Sequence, residues 1–101
     1  MDKRVKKTIS PIESAARREQ FYADIAAGTL TIQEAVVTMR KMSRLTQTEF
    51  SKHRGISVQS LKQIEAGTAN PTVETLEKIT DIFGLKVGFT FKERAVVSKR
   101  F

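Results

Sequence analysis

The sequence has no cysteine, no tryptophan and a single histidine. Without thiols there is no disulfide framework, thiol nucleophile or thiolate metal site, and a reducing cytoplasm is the expected location. His53 lies between Lys52 and Arg54 with no second histidine to share a metal ion or relay a nucleophile's proton, so it reads as a solvated surface residue. No glycine-rich phosphate loop is present, and the carboxylates are scattered among helix starts and polar faces. No catalytic site, metal or cofactor is expected. Apolar runs fall far short of the roughly 18 to 20 residues that span a bilayer, and residues 1–7 lack the apolar stretch of a secretory signal. A soluble chain without membrane contact follows, and 101 residues suffice for one domain with appendages.

Acidic charge is the scarcer sign, 11 carboxylates against 18 basic side chains, for a net +7. Both ends are basic: Lys3, Arg4, Lys6 and Lys7 stand against Asp2, and Lys92, Arg94, Lys99 and Arg100 against Glu93. Between them, residues 40–62 hold Arg40, Lys41, Arg44, Lys52, Arg54 and Lys62 against Glu49 alone. Such clustering is the footprint of a polyanion binder, or equally a solvated basic face.

What is abundant is helix punctuation. A Ser or Thr followed three residues later by Glu, the capping box, occurs at Ser10/Glu13, Thr31/Glu34 and Thr46/Glu49. The first opens a helix with Pro11 at its favoured first position and Ile12, Ala15, Ala16, Tyr22, Ile25 and Ala26 as its apolar stripe, ending at Gly28. The second carries Ile32, Ala35, Val36 and Met39 and ends near Ser43. The third is stapled by Leu45 and Phe50 and closes at Gly55. Ser57 caps a fourth helix over 58–66, with Leu61 and Ile64 inward and Gly67 as its stop. A fifth runs from Thr72 with Val73, Leu76, Ile79 and Phe83 on one face before Gly84. From Leu85 to Lys92 the period changes to two, which predicts a single strand with no partner strand elsewhere in the chain.

Two short helices joined at Gly55 are the parts of a helix-turn-helix, and the tight turn needs a residue that adopts positive φ cheaply. The residues Thr46-Gln47-Thr48-Glu49-Phe50-Ser51, Gly55-Ile56-Ser57, Leu61-Lys62-Gln63-Ile64-Glu65-Ala66-Gly67 and Asn70-Pro71-Thr72-Val73-Glu74-Thr75-Leu76 resemble the phage-repressor, Cro-type (XRE) DNA-binding domain. The resemblance covers about residues 31–84. It implies an all-α fold, a five-helix lambda-repressor-like bundle with an extra N-terminal helix, followed here by one C-terminal β-strand that pairs across a dimer. The resulting division is a basic disordered tail over 1–9, an N-terminal helix over 10–28, the helix-turn-helix domain over 29–84, a dimerisation strand over 85–94 and a second basic tail over 95–101.

The same resemblance implies that residues 57–66 enter the major groove of double-stranded DNA at an inverted-repeat operator. Base contacts would come from Val58, Gln59, Lys62 and Gln63: a glutamine amide donates and accepts together, as adenine N6 and N7 require, and Val58 suits a thymine methyl. Phosphate contacts would come from Gln47, Arg44, Lys52, Arg54, Ser57 and Asn70. Arg40 and Glu65 correspond to a structural ion pair of the family, with Arg40 as a free phosphate contact the alternative. Ser51 stands where alanine is usual and Ala66 where asparagine is common, which removes one phosphate contact.

The lone strand, with Leu85, Val87, Phe89 and Phe91 on one side, makes the chain similar to HipB-type antitoxins. That similarity implies a homodimer, autoregulation of its own promoter and a cognate toxin such as a HipA-like kinase. A stand-alone phage-type or metabolic repressor, or a small nucleic-acid-binding coactivator, fits the same residues.

Overall fold

Each helix begins at a side chain that satisfies its own first turn. The structure, a computed structural model, describes residues 10–92, and within them five α-helices follow one another: α1 (Pro11–Ala27), α2 (Ile32–Ser43), α3 (Gln47–Arg54), α4 (Val58–Ala66) and α5 (Val73–Thr80). A 3-10 turn over Asp81–Phe83 ends the series. Ser10, Thr31 and Thr46 each accept the backbone N–H three residues on, and Glu13, Glu34 and Glu49 each reach back to the cap N–H, so all three capping boxes form. Ser57 and Thr72 cap α4 and α5 through the N–H groups of Ser60 and Thr75. Gly28, Gly55 and Gly67 end α1, α3 and α4 in the left-handed region.

The core is built around α2. Ala35, Val36 and Met39 pack with Phe21 of α1, Phe50 of α3, Leu61 and Ile64 of α4 and Ile79 of α5, and Tyr22, Leu45, Ile56, Phe83 and Leu85 close over this cluster. Tyr22 anchors the far end by donating its phenolic O–H to the Phe83 carbonyl at 2.8 Å, which ties α1 to the 3-10 turn. Ser51, in place of a small apolar residue, is buried without penalty because its hydroxyl donates to the Thr48 carbonyl at 2.9 Å.

Several sequence expectations change. Among the described residues there are five α-helices with α1 included, so residues 29–84 hold four α-helices and a 3-10 turn. The fifth helix does not run unbroken to Phe83: its last turn tightens at Asp81, as helix ends commonly do. In α1 the buried residue is Phe21, while Ile12, placed on the inward stripe, is 81% exposed and Ala15 and Ala16 are exposed too. The first half of α1 extends past the body, so its apolar positions have nothing to pack on. Ile32 and Val73, each in a first helical turn, are exposed for the same reason. Arg44, not a glycine, takes the left-handed position after α2 at φ 60°.

Among the described residues there is no strand. Residues 85–92 leave the 3-10 turn as irregular chain, and among the described residues no backbone hydrogen bond is made along them beyond the one from the Leu85 N–H to the Thr80 carbonyl. Leu85 and Val87 are half-buried, whereas Phe89 and Phe91 stand exposed. The tails expected at 1–9 and 95–101, and the end of the segment 85–94, lie outside the described residues.

Candidate nucleic-acid interface

The turn between α3 and α4 is fixed by Gly55 at φ 71°, and by the Ile56 N–H donating to the Ser51 carbonyl at 3.0 Å. Nothing approaches the place a Cβ would occupy at Gly55, so its backbone angle, not crowding, calls for glycine. Leu61 and Ile64 bury the inner face of α4, which leaves Gln59, Lys62, Gln63 and Ala66 as an outward stripe with Val58 half-buried in the first turn. Four of the residues assigned to base contacts thus share one helix, three of them on its exposed face.

Beside the apolar packing, the polar contacts from α2 to α4 converge on one residue, Glu65. Arg40 Nε and Nη2 donate to the Glu65 carboxylate at 2.8 and 2.9 Å, and Arg40 Nη1 reaches the Leu45 carbonyl at 3.1 Å. Seven residues earlier on α2, Gln33 Nε2 donates to the Glu65 backbone carbonyl at 2.8 Å. Side chain and main chain of Glu65 are therefore both gripped by the same helix. Burial alone would raise the Glu65 carboxyl, but hydrogen bonds from Arg40 and Gln47 and the charges of Arg40 and Lys41 outweigh it and hold the group below the usual carboxylate range.

Gln47, assigned to a phosphate, donates its amide to Glu65 Oε1 at 3.0 Å. It is therefore docked beside the ion pair at the amino end of α3, where the Thr46 cap and the helix itself engage the Glu49 and Phe50 N–H groups and leave those of Gln47 and Thr48 facing outward. Arg44 and Lys52 are exposed, as are Ser57 and Asn70. Arg54 differs. It is half-buried and turned onto α5, donating to the Lys78 carbonyl at 3.3 Å in a cleft it shares with Glu74, Glu77 and Asp81. Lys78 and Lys86 line the same cleft, and in this structure the Arg54 guanidinium serves the α3–α5 contact. His53 is exposed, and no group of metal-ligating side chains occurs among the described residues.

Sequence reasoning missed Gln33, because its role depends on where α4 ends rather than on any local spacing. The contact is tight enough to test. Gly67 lies at φ 78°, and a Cβ there would come within 2.7 Å of Gln33 Oε1. Gly67→Ala should cost about 1 to 2 kcal/mol in backbone strain, and about 1 more if the Gln33 bond breaks. Gln33→Ala should lose only the latter. Urea denaturation of both variants checks the order; equal stabilities would refute it.

No helix among the described residues is long and apolar enough to cross a membrane. Residues 38–89, just over half of the chain, match the helix-turn-helix family HTH_3. The cryptic phage CTXphi transcriptional repressor RstR of Vibrio cholerae is 34% identical over 58 residues, 57% of this chain and 52% of that relative. The chain thus spans about half the length of the relative it matches. No solved structure matches. With the turn at Gly55, the capped helices on either side and the match over 38–89, the chain belongs to the helix-turn-helix family.

Proposed function

We propose that this protein is a dimeric transcriptional repressor that reads an inverted-repeat DNA operator with α4. The observation that carries the reading is the outward stripe of Gln59, Lys62 and Gln63 on a helix whose inner face is buried, beside the amino end of α3. Gln47, Arg44, Lys52, Ser57 and Asn70 surround it as phosphate contacts, and the relative's name as a transcriptional repressor supports the regulatory role. The test is selection from a randomised duplex library by the full chain. An inverted repeat with half-site centres about 10 to 10.5 base pairs apart, or a multiple, is expected; enrichment of no sequence defeats the reading.

Dimerisation rests on residues 85–92. Among the described residues their backbone groups make no hydrogen bond past that of Leu85, and Phe89 and Phe91 expose rings that water solvates poorly. Pairing this segment with its copy meets both needs, the two-stranded ribbon resting through Leu85 against the helices. Val87→Pro removes a ladder donor and should weaken the dimer at least tenfold in sedimentation equilibrium. An unchanged dissociation constant would rule the segment out.

The finer reading is an antitoxin that also binds a toxin, such as a HipA-like kinase, and autoregulates their shared operon. α1 and the segment beyond residue 89 lie outside the matched helix-turn-helix range, and this supports a surface with a second use. Co-expression with the product of the neighbouring gene decides it. A stable complex on size exclusion supports the antitoxin; a non-toxic neighbour that does not co-purify leaves the stand-alone repressor.

A further inference from the structure

We propose that Arg17 of α1 and Lys41 of α2 form an outer phosphate clamp, extending the DNA contact beyond the helix-turn-helix onto duplex flanking each half-site. The proposal rests on the DNA-binding reading and adds a surface to it. α1 and α2 are joined by a short connection over 28–31 and pack side by side, as an antiparallel helical hairpin does. The middle of α1, from Arg17 to Phe21, therefore lies beside the last turn of α2, at the end where the chain passes Arg44 and Leu45 into α3 at Gln47. Arg17 and Lys41 line one open cleft there, together with Gln20, Asp24 and Thr38 above Phe21 and Met42.

Three features point to an anionic partner. Neither Arg17 nor Lys41 makes a hydrogen bond or ion pair within the described residues. The one carboxylate in the cleft, Asp24, accepts from Gln20 Nε2 at 2.8 Å and is engaged on its own helix. Lys41 also acts through its charge on Glu65, whose carboxylate accepts from Gln47 at the amino end of α3, so the cleft adjoins the proposed DNA face through Lys41. Helix α1 supports this reading in its extent: no residue before Phe21 is buried, so its first half contributes little to the core and leaves Arg17 exposed at the rim of the cleft.

The direction of the extension follows from the other end of α1. Gly28 lies against Thr90, about 4.0 Å from its hydroxyl to the position a Cβ would take, which places the dimerising segment at the carboxyl end of α1. Arg17 is then on the side away from the dimer axis. The partner is the phosphate backbone just outside the inverted repeat, recognised by charge and carrying no base preference.

The experiment uses the full chain and the duplex it selects from a randomised library, in two lengths: the inverted repeat alone, and the repeat with about half a helical turn of added duplex on each side. Wild type, Arg17→Ala/Lys41→Ala and Arg17→Glu are titrated at several salt concentrations, with far-UV circular dichroism as the folding check. Wild type should bind the longer duplex more tightly. The double variant should lose that gain, and its log K against log salt slope should fall by about two per protomer at about 0.9 per phosphate, with unchanged base preference. Arg17→Glu should weaken binding further. A folded double variant that keeps the wild-type slope and length dependence overturns the clamp while leaving the reading helix intact; wild type that binds no duplex overturns the clamp and the DNA reading together.

Discussion

Replacing Arg40 by alanine should cost the fold about 3 kcal/mol at neutral pH, the lower end of what breaking a buried ion pair costs. The side chains of Arg40 and Glu65 are 17% and 7% exposed, so removal of the guanidinium leaves a nearly buried carboxylate with only the Gln47 amide and the more distant Lys41 charge. The Leu45 carbonyl loses its donor as well. Glu65→Gln should be milder, because an amide still accepts from Arg40. The two variants part on the acid side. The Glu65 carboxyl is held below its ordinary range in the folded chain, so its contribution is complete above the unfolded-state glutamate pKa and is lost as pH falls through the lower folded value. Wild type should therefore lose stability below the ordinary glutamate pKa, and both variants should lose less over that interval. Urea midpoints between neutral pH and pH 3 check this. An Arg40→Ala protein within 1 kcal/mol of wild type at neutral pH, or one with the same acid-side slope, would show that the pair does not hold α4 to α2.

How far this arrangement was readable in the sequence depends on whether the signal is local. The caps at Ser10, Thr31, Thr46, Ser57 and Thr72 and the stops at Gly28, Gly55 and Gly67 are written within four residues of where they act, and the structure places helix ends there. Arg44 shows the limit. Its left-handed backbone carries no glycine, and only the start of α3 three residues later forces the chain to turn. The period of α1 gives a face but not the length of body beneath it, so Ile12 and Phe21 exchange the roles that spacing suggests.

Site residues divide in the same way. The outward position of Gln59, Lys62 and Gln63 follows from Leu61 and Ile64 being apolar at helical spacing. The Arg40–Glu65 pairing was available only through the family resemblance, since 25 residues separate the two. The basic character of Arg54 gave no sign of its hydrogen bond to α5, whose Lys78 carbonyl lies 24 residues downstream. Gln33 and Gln47 gave no sign that both converge on Glu65, because that depends on how α2, α3 and α4 cross.

Replacing Gln59 and Gln63 together by alanine should relax sequence preference at the base pairs they read while leaving general DNA affinity in place. Each bidentate amide-to-base contact discriminates by about 1 to 3 kcal/mol, and a dimer presents each twice, so the loss at the selected operator should reach at least a thousandfold. The change should not affect folding, since both side chains are exposed on the face of α4 opposite Leu61 and Ile64 and neither forms a side-chain hydrogen bond among the described residues. Gln47→Ala should behave differently. It removes an uncharged group at the amino end of α3, so all duplexes should weaken alike while the salt slope stays close to wild type, no cation being lost. Part of that loss reflects Glu65, whose Oε1 no longer receives the Gln47 amide. A binding titration of both variants against the selected operator and a scrambled duplex, at three or more salt concentrations, separates the two roles. Glutamine variants of α4 that keep wild-type affinity and the same base preference would mean that another surface reads the DNA.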